Sequence, residues 1–342
     1  MFKVIVSGGC GYIGSHTIVD LINNGFEVIS VDSYVRSTAT VMDNIEAVIG
    51  KKIKNYPVDL CDADSLRAVF SEHDDIKGII HFAALKSVPE SIKEPLLYYK
   101  NNIQGLCNIL QLMTEFSVPN FIFSSSCSVY GNTKELPVLE TTPMGIAECP
   151  YAATKQMGER IIEDYIAANP DRKAVILRYF NPGGAHPSGL LGEMPGKGIT
   201  NLIPVLMESV IGTRESLTVH GGDYPTRDGT CIRDYIHIMD LADAHTRSLN
   251  YLLQGKNENN CELFNLGIGE GVSVLEAIKA TEKASGRKVP YVIGPRRAGD
   301  VVAIYADNFR AAERLNWKPQ YSIDDIMESA WKWELYRTGA AK

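Results

Sequence analysis

Apolar positions along the chain alternate between two rhythms. Lys3-Val4-Ile5-Val6-Ser7 and Glu27-Val28-Ile29-Ser30-Val31 are short runs rich in β-branched residues, as expected of buried parallel strands. Between them Ile13, Ile18, Leu21 and Ile22 recur at helical spacing until Gly25 stops the pattern. The alternation continues with a predicted edge strand at 55–58, central strands at 78–82 and Asn120–Ser124, and a further strand at 173–178. Long helical stretches lie at 96–116 and 151–168. Repeated strand–helix units with right-handed crossovers predict an α/β fold, a doubly wound parallel sheet of the Rossmann type. Its ligand crevice lies at the carboxyl ends of the strands.

After about residue 180 the pattern changes. The stretch 181–198 holds six glycines and three prolines, too many for regular elements. Leu202–Ile211 then reads as a helix, Leu217–His220 as a strand and 240–253 as a helix. Ser273 and Glu276 form a capping box that opens another helix, closed by Gly286. The chain therefore divides into a first domain at 1–180 and a smaller mixed α/β lobe at 181–342, with segments near 235 and 265 returning to the first.

Composition narrows the class. The 342 residues are 45% hydrophobic with a mean hydropathy near zero, as in an ordinary soluble globule. A net charge of −7 argues against a nucleic-acid binder. No apolar run approaches the ~18 residues of a membrane span. The first strand starts at about Lys3, which leaves no room for a signal peptide. Seven scattered cysteines without a C-x-x-C pair suit reduced thiols in a cytoplasmic protein, with neither a disulfide framework nor a metal site.

The candidate chemistry sits at the predicted strand ends. Gly8, Gly11 and Gly14 follow the first strand and open a helix, allowing a tight turn, close approach to a pyrophosphate and phosphate binding at the helix N-terminus. Asp32 ends the second strand 18 residues beyond Gly14, where a carboxylate accepts both adenosine-ribose hydroxyls and repels a 2′-phosphate. The implied cofactor is NAD, although Arg36 leaves some room for NADP. Tyr151 and Lys155, four apart, share one helix face, so the ammonium is expected to lower the phenol's pKa and make it a base.

Four further segments carry a resemblance. They are Phe82-Ala83-Ala84-Leu85-Lys86, the run from Ser124 to Gly131, Arg178-Tyr179-Phe180-Asn181-Pro182-Gly183-Gly184, and Arg233-Asp234-Tyr235-Ile236-His237. With the glycine motif and Y-x-x-x-K, they make the chain resemble the UDP-glucose (UDP-galactose) 4-epimerases of the extended short-chain dehydrogenase/reductase family, nearly from end to end. The resemblance implies that Tyr151 takes the proton from the sugar 4-hydroxyl, Ser126 hydrogen-bonds the same oxygen and Lys155 holds the nicotinamide ribose. It places Gly8, Gly11, Tyr12, Ile13, Gly14 and Asp32 on the NAD, with Asp59, Leu60, Phe82, Ala83, Lys86, Asn101 and Phe180. Ser126, Tyr151 and Lys155 belong to that set too.

On the substrate side it implies Lys86, Ser126, Tyr151, Asn181, Asn201 and Leu202, with Arg233 and Arg297 on the diphosphate, Asp300 beside them and Ile304 against the hexose. His186 is expected to make a structural hydrogen bond only. Relatives pair their long helices as a four-helix bundle, which implies a homodimer. The chain departs from the commoner pattern at Ser7, Ser33, Gly183 and Ala152, none of which removes a reacting group. A 4,6-dehydratase would need acids just after Ser126, where Cys127 and Ser128 stand. A 4-epimerase of another UDP-sugar and a catalytically silent nucleotide-binding regulator are the remaining alternatives.

Overall fold

In strands β1 (Lys3–Ser7), β5 (Asn120–Ser124) and β6 (Lys173–Tyr179), successive side chains enter different cores. Val4, Val6, Ile122, Val175 and Leu177 join one apolar cluster, whereas Ile5, Phe121, Phe123, Ala174 and Ile176 join another. Strand geometry sends alternate residues to opposite faces, and here helices cover both, so each run is apolar throughout. Fully burying one such valine, isoleucine or phenylalanine contributes about 1.5–3 kcal/mol relative to exposure.

The computed structural model describes residues 1–194, 201–297 and 300–340. The end of the glycine- and proline-rich stretch, and Ala298 and Gly299 in the segment around Arg297, lie outside the described residues. The other strands are β2 (Glu27–Val31), β3 (Asn55–Tyr56), β4 (Ile76–His81), β7 (Asn181–Gly183), β8 (Leu217–His220), β9 (Ile232–Arg233), β10 (Tyr235–His237), β11 (Cys261–Leu266), β12 (Val272–Ser273), β13 (Tyr291–Gly294) and β14 (Ala303–Ile304). A seven-stranded parallel sheet runs in the order β11-β6-β5-β4-β1-β2-β3. Helices Tyr12–Asn23 and Ile238–Leu253 pack together on one face, and Gly105–Glu115 and Pro150–Ala168 on the other. This is the doubly wound sheet the sequence predicts.

Beyond it, helices Leu202–Ile211, Val274–Ser285 and Ile323–Arg337 enclose a third cluster with Leu217 and Val219. Three small sheets, β7–β10, β12-β9-β14 and β8–β13, complete this part of the chain. The capping box at Ser273 is present, and Gly286 ends that helix in the left-handed conformation.

Two local expectations need correction. The predicted strand at 55–58 stops at Tyr56, because Pro57 has no N–H to continue the ladder. The predicted helix at 96–116 is broken into Pro95–Tyr99, a π-helical turn at Lys100–Gln104 and Gly105–Glu115. The widened turn coincides with Asn102, whose amide clamps the Leu85 backbone through Leu85 N at 2.8 Å and Leu85 O at 3.0 Å. It also donates to Thr154 on the helix Pro150–Ala168.

Candidate active site

The glycine turn is a cradle without side chains. Gly8 has φ +75°, and a Cβ there would lie 2.7 Å from the Ala83 nitrogen. A Cβ on Gly14 would lie 2.2 Å from the Gly8 carbonyl oxygen. The helix Tyr12–Asn23 opens at Gly11 with no side-chain cap, which leaves its first N–H groups for an anion. Asp32 stands alongside. One carboxylate oxygen accepts from Cys10 N at 3.1 Å, the other from Tyr34 N at 2.9 Å and Ser37 Oγ at 2.8 Å. Small residues, open N–H groups and a pinned carboxylate fit a dinucleotide. Arg36 pairs with Glu90 at 2.6 Å.

Some expected cofactor residues are otherwise engaged. The Tyr12 hydroxyl donates to the Gly184 carbonyl at 2.6 Å, so its ring ties the helix to the second lobe. That leaves its backbone for a cofactor. Ile13 packs against the core, the Phe82 ring lies tilted 4.6 Å from the His245 ring and Leu60 is buried. Asp59 is exposed and accepts from Cys61 N. Asn101 lies in the π-helical turn and donates to Asn102.

Tyr151 and Lys155 are carried by the helix Pro150–Ala168, which starts with a proline and is capped by Cys149 Sγ. Lys155 Nζ lies 5.9 Å from the Tyr151 ring centroid and donates to the Ser124 carbonyl at 2.6 Å. Burial, with Tyr179 adding to it, pushes the Tyr151 phenol well up, and a hydrogen bond from Ser126 opposes the shift. Burial lowers Lys155 to about 8, with Glu159 pulling it back up. The expected lowering of Tyr151 by Lys155 is therefore absent here. Desolvation outweighs an ammonium that is bound to Ser124 and weakened by its own burial.

The second lobe presents its cations to carboxylates. Arg233, on β9, donates to Val301 O at 2.8 Å and lies 3.4 Å from Asp300, while Arg297 binds the same carboxylate through two nitrogens. Lys86 and Asn201 both meet Glu193 Oε1, at 3.1 and 3.2 Å. Asn181 is on β7, and Leu202 opens the helix that follows Asn201. Ile304 pairs with Arg233 across β14 and β9 and is buried with Phe180, Val129, Tyr130, Val138 and Ala306. His186 bonds Ser188 Oγ at 2.8 Å within its own loop.

Comparison with known proteins decides the family. The family described as GDP-mannose 4,6 dehydratase matches residues 5–330. The chain is 45% identical to a UDP-glucose 4-epimerase of Erwinia amylovora over 334 residues, 97% of each protein. It is 46% identical to one of Schizosaccharomyces pombe over 335 residues, 97% of this chain and 93% of the relative. It superposes on the Bifidobacterium longum UDP-glucose 4-epimerase, solved in complex with NAD+ and UDP, with a TM-score of 0.93 and 44% identity over 98% of this chain and 99% of the other. The chain belongs to the UDP-glucose 4-epimerase family.

Other residues of this epimerase-family site went unread in the sequence. Glu193 lies in the glycine- and proline-rich stretch, where nothing marked it. Tyr179 hydrogen-bonds Ser124 beneath the site. Glu159 and Arg178 form a buried ion pair behind Lys155. A signal for that pair existed: Arg178 is a charge in an apolar central strand, and Glu159 follows Tyr151 and Lys155 on the same helix face. Among the described residues no helix is long and apolar enough to cross a membrane, and no cluster of histidine, cysteine and acidic residues could hold a metal ion.

Proposed function

We propose that the chain interconverts UDP-glucose and UDP-galactose through a transient 4-keto sugar nucleotide, with NAD as its cofactor. The observation that carries this reading is the meeting of Ser126, Tyr151 and Lys155 at the strand ends, beside a glycine cradle and Asp32, in a chain of this family. Bound NAD supplies a two-electron acceptor that is restored in each turnover, so no net oxidation results.

Tyr151 takes the proton of the sugar 4-hydroxyl, and Ser126 orients that hydroxyl. Lys155 alone does not offset the burial of the phenol; its ammonium, together with the positive nicotinamide ring of bound NAD, would supply the charge that favours ionised Tyr151. Arg233 and Arg297 leave Asp300 for the substrate diphosphate, and Lys86 and Asn201 leave Glu193, because planar and ammonium donors bind phosphate oxygens strongly. Holding the nucleotide at the diphosphate lets the sugar turn and present its other face to Tyr151. A dehydratase reading fails at Cys127 and Ser128. Neither is an acid, and burial pushes the Cys127 thiol up to about 12.

Several finer points belong to the same proposal. The enzyme acts in galactose metabolism in the cytoplasm. It forms a homodimer through the helix faces that expose Ile92 (60%), Leu96 (80%), Leu97 (44%) and Met157 (46%), apolar residues clustered on neighbouring helices. Incubation with UDP-galactose and analysis of the sugar product tests the reading. UDP-glucose as product with no accumulating reduced cofactor is expected, and Tyr151→Phe should turn over ~10²–10⁴-fold more slowly. No epimer from UDP-galactose, or full turnover in Tyr151→Phe, would overturn it.

A further inference from the structure

Three consecutive serines at the end of β5 each engage a different turn of the helix Pro150–Ala168. Ser126 lies beside the Tyr151 phenol, the Ser124 carbonyl accepts from Lys155, and the Ser125 hydroxyl donates to Glu159. Tyr151, Lys155 and Glu159 are spaced by four and share one face. Glu159 is 1% exposed, and Arg178 of β6 grips both its oxygens, through Nε at 3.0 and 3.2 Å and Nη2 at 2.6 Å. The guanidinium lies 4.7 Å over the Tyr130 ring, whose hydroxyl donates to Asn265. Every polar group in this chain of contacts is therefore partnered.

We propose that Glu159 is a positioning residue of the active site: its carboxylate keeps the Lys155 ammonium charged, and its bond to Ser125 holds the backbone that presents Ser126 to Tyr151.

Lys155 is buried, and a buried ammonium loses its proton unless an opposite charge stands near. Among the described residues, the groups facing it from other elements supply none. His81 of β4 is neutral, lowered to about 3 by burial and then by Lys155 itself. Tyr179 of β6 is a neutral phenol, raised to about 12 by burial. Arg178, also on β6, stands behind Glu159 with the same sign of charge as Lys155. Tyr151, on the shared helix, is neutral until it acts. The negative charge comes from Glu159, one turn away. Arg178 in turn compensates that carboxylate, since removing one partner of a buried pair leaves the other uncompensated.

The catalytic consequence rests on the epimerase reading, whereas the charge on Lys155 does not. The test is therefore a direct titration of Lys155 in the cofactor-loaded protein by ¹³Cε-lysine NMR, its resonance assigned with Lys155→Met, alongside the pH profile of kcat. Glu159→Gln strands the Arg178 charge and is at risk of not folding. The double variant Glu159→Gln, Arg178→Met removes both charges and keeps the fold testable. In the double variant the Lys155 midpoint should still fall, by up to about one pH unit, because Glu159 is nearer to Lys155 than Arg178 and its loss outweighs the loss of the Arg178 repulsion. The alkaline limb of kcat should move down with it, and KM for UDP-galactose should stay within about twofold. Glu159→Asp, which keeps the charge, should restore most of both. A folded double variant with an unchanged Lys155 midpoint would overturn the proposal, as would a pH profile lowered uniformly in height without a shift. A shifted midpoint in a protein that turns over no UDP-galactose in any form would uphold the role of Glu159 and sink the epimerase reading instead.

Discussion

Gly183 is a position where the packing of the second lobe can be tested by a single methyl group. It ends β7, two residues after Asn181, and is paired with His237 of β10. A Cβ built there would lie 2.1 Å from Ile203 Cδ1 and 3.0 Å from Ile326 Cγ2. The backbone at Gly183 is not in the left-handed region, so alanine is strained by contact alone. Carbon atoms settle at ~3.5–4.0 Å, so Ile203 Cδ1 must retreat by roughly 1.5 Å. Ile203 is 5% exposed, and its β-branch leaves it few rotamers. Overpacking of this kind typically costs ~1–3 kcal/mol. Alanine restricts the unfolded chain and returns ~0.4–1 kcal/mol. The net expectation for Gly183→Ala is a destabilisation of roughly 1–2 kcal/mol.

Ile203→Val removes the obstructing methyl and by itself should cost ~0.5–1.5 kcal/mol. If the clash is the cause, the double variant will be no less stable than Gly183→Ala alone, with a coupling of about 1 kcal/mol or more in a urea-denaturation cycle. Ile203 sits in the first turn of the helix that follows Asn201, so Gly183→Ala should raise KM for the UDP-sugar more than it lowers kcat. An additive cycle, or a Gly183→Ala protein as stable as the parent, would refute the reasoning.

Three other predictions follow from single sites. Gly14→Ala should purify without bound dinucleotide, read from the absorbance of released cofactor, because its Cβ meets backbone at Gly8 that has nowhere to move; normal occupancy would refute this. Ile304→Gly should narrow the preference for UDP-galactose over its N-acetylated counterpart, measured as the ratio of kcat/KM values, at a stability cost of ~2–5 kcal/mol because Ile304 is 6% exposed; an unchanged ratio would show that Ile304 only packs the core. Asp234 is pushed up to about 6 by burial, against three backbone N–H donors from Ile268, Gly269 and Ala306. Since its folded pKa exceeds the unfolded value, its contribution to stability is full below about pH 4 and is lost as the pH rises through about 6, by about 2–3 kcal/mol. Asp234→Asn should flatten that part of the denaturation midpoint against pH, and an unaltered slope would count against it.

Much of the sheet could be read from the sequence because its causes are local. A run such as Lys3–Ser7 carries its own strand propensity, and burial on both faces makes every position apolar. The glycine turn, the capping box at Ser273 and the four-residue spacing of Tyr151 and Lys155 are likewise set by neighbours in the chain. The broken helix around Asn102 was hidden, because the amide that accompanies the π turn bonds Leu85, 17 residues earlier. Tyr12 illustrates the same limit: its backbone belongs to the glycine turn, but its hydroxyl is claimed by Gly184, 172 residues away. Glu193 gathers Lys86 and Asn201 from two lobes, and no spacing announces that.

The chemistry of Tyr151 divides in the same way. Sequence by itself determined that a phenol and an ammonium share a helix face, because 3.6 residues per turn follows from the backbone alone. Only the tertiary structure decided their protonation, because a pKa depends on how much water is excluded and which charges surround the group. Here burial raises Tyr151 and lowers Lys155, and the opposing charge comes from Glu159, held in place by Arg178 of a different element.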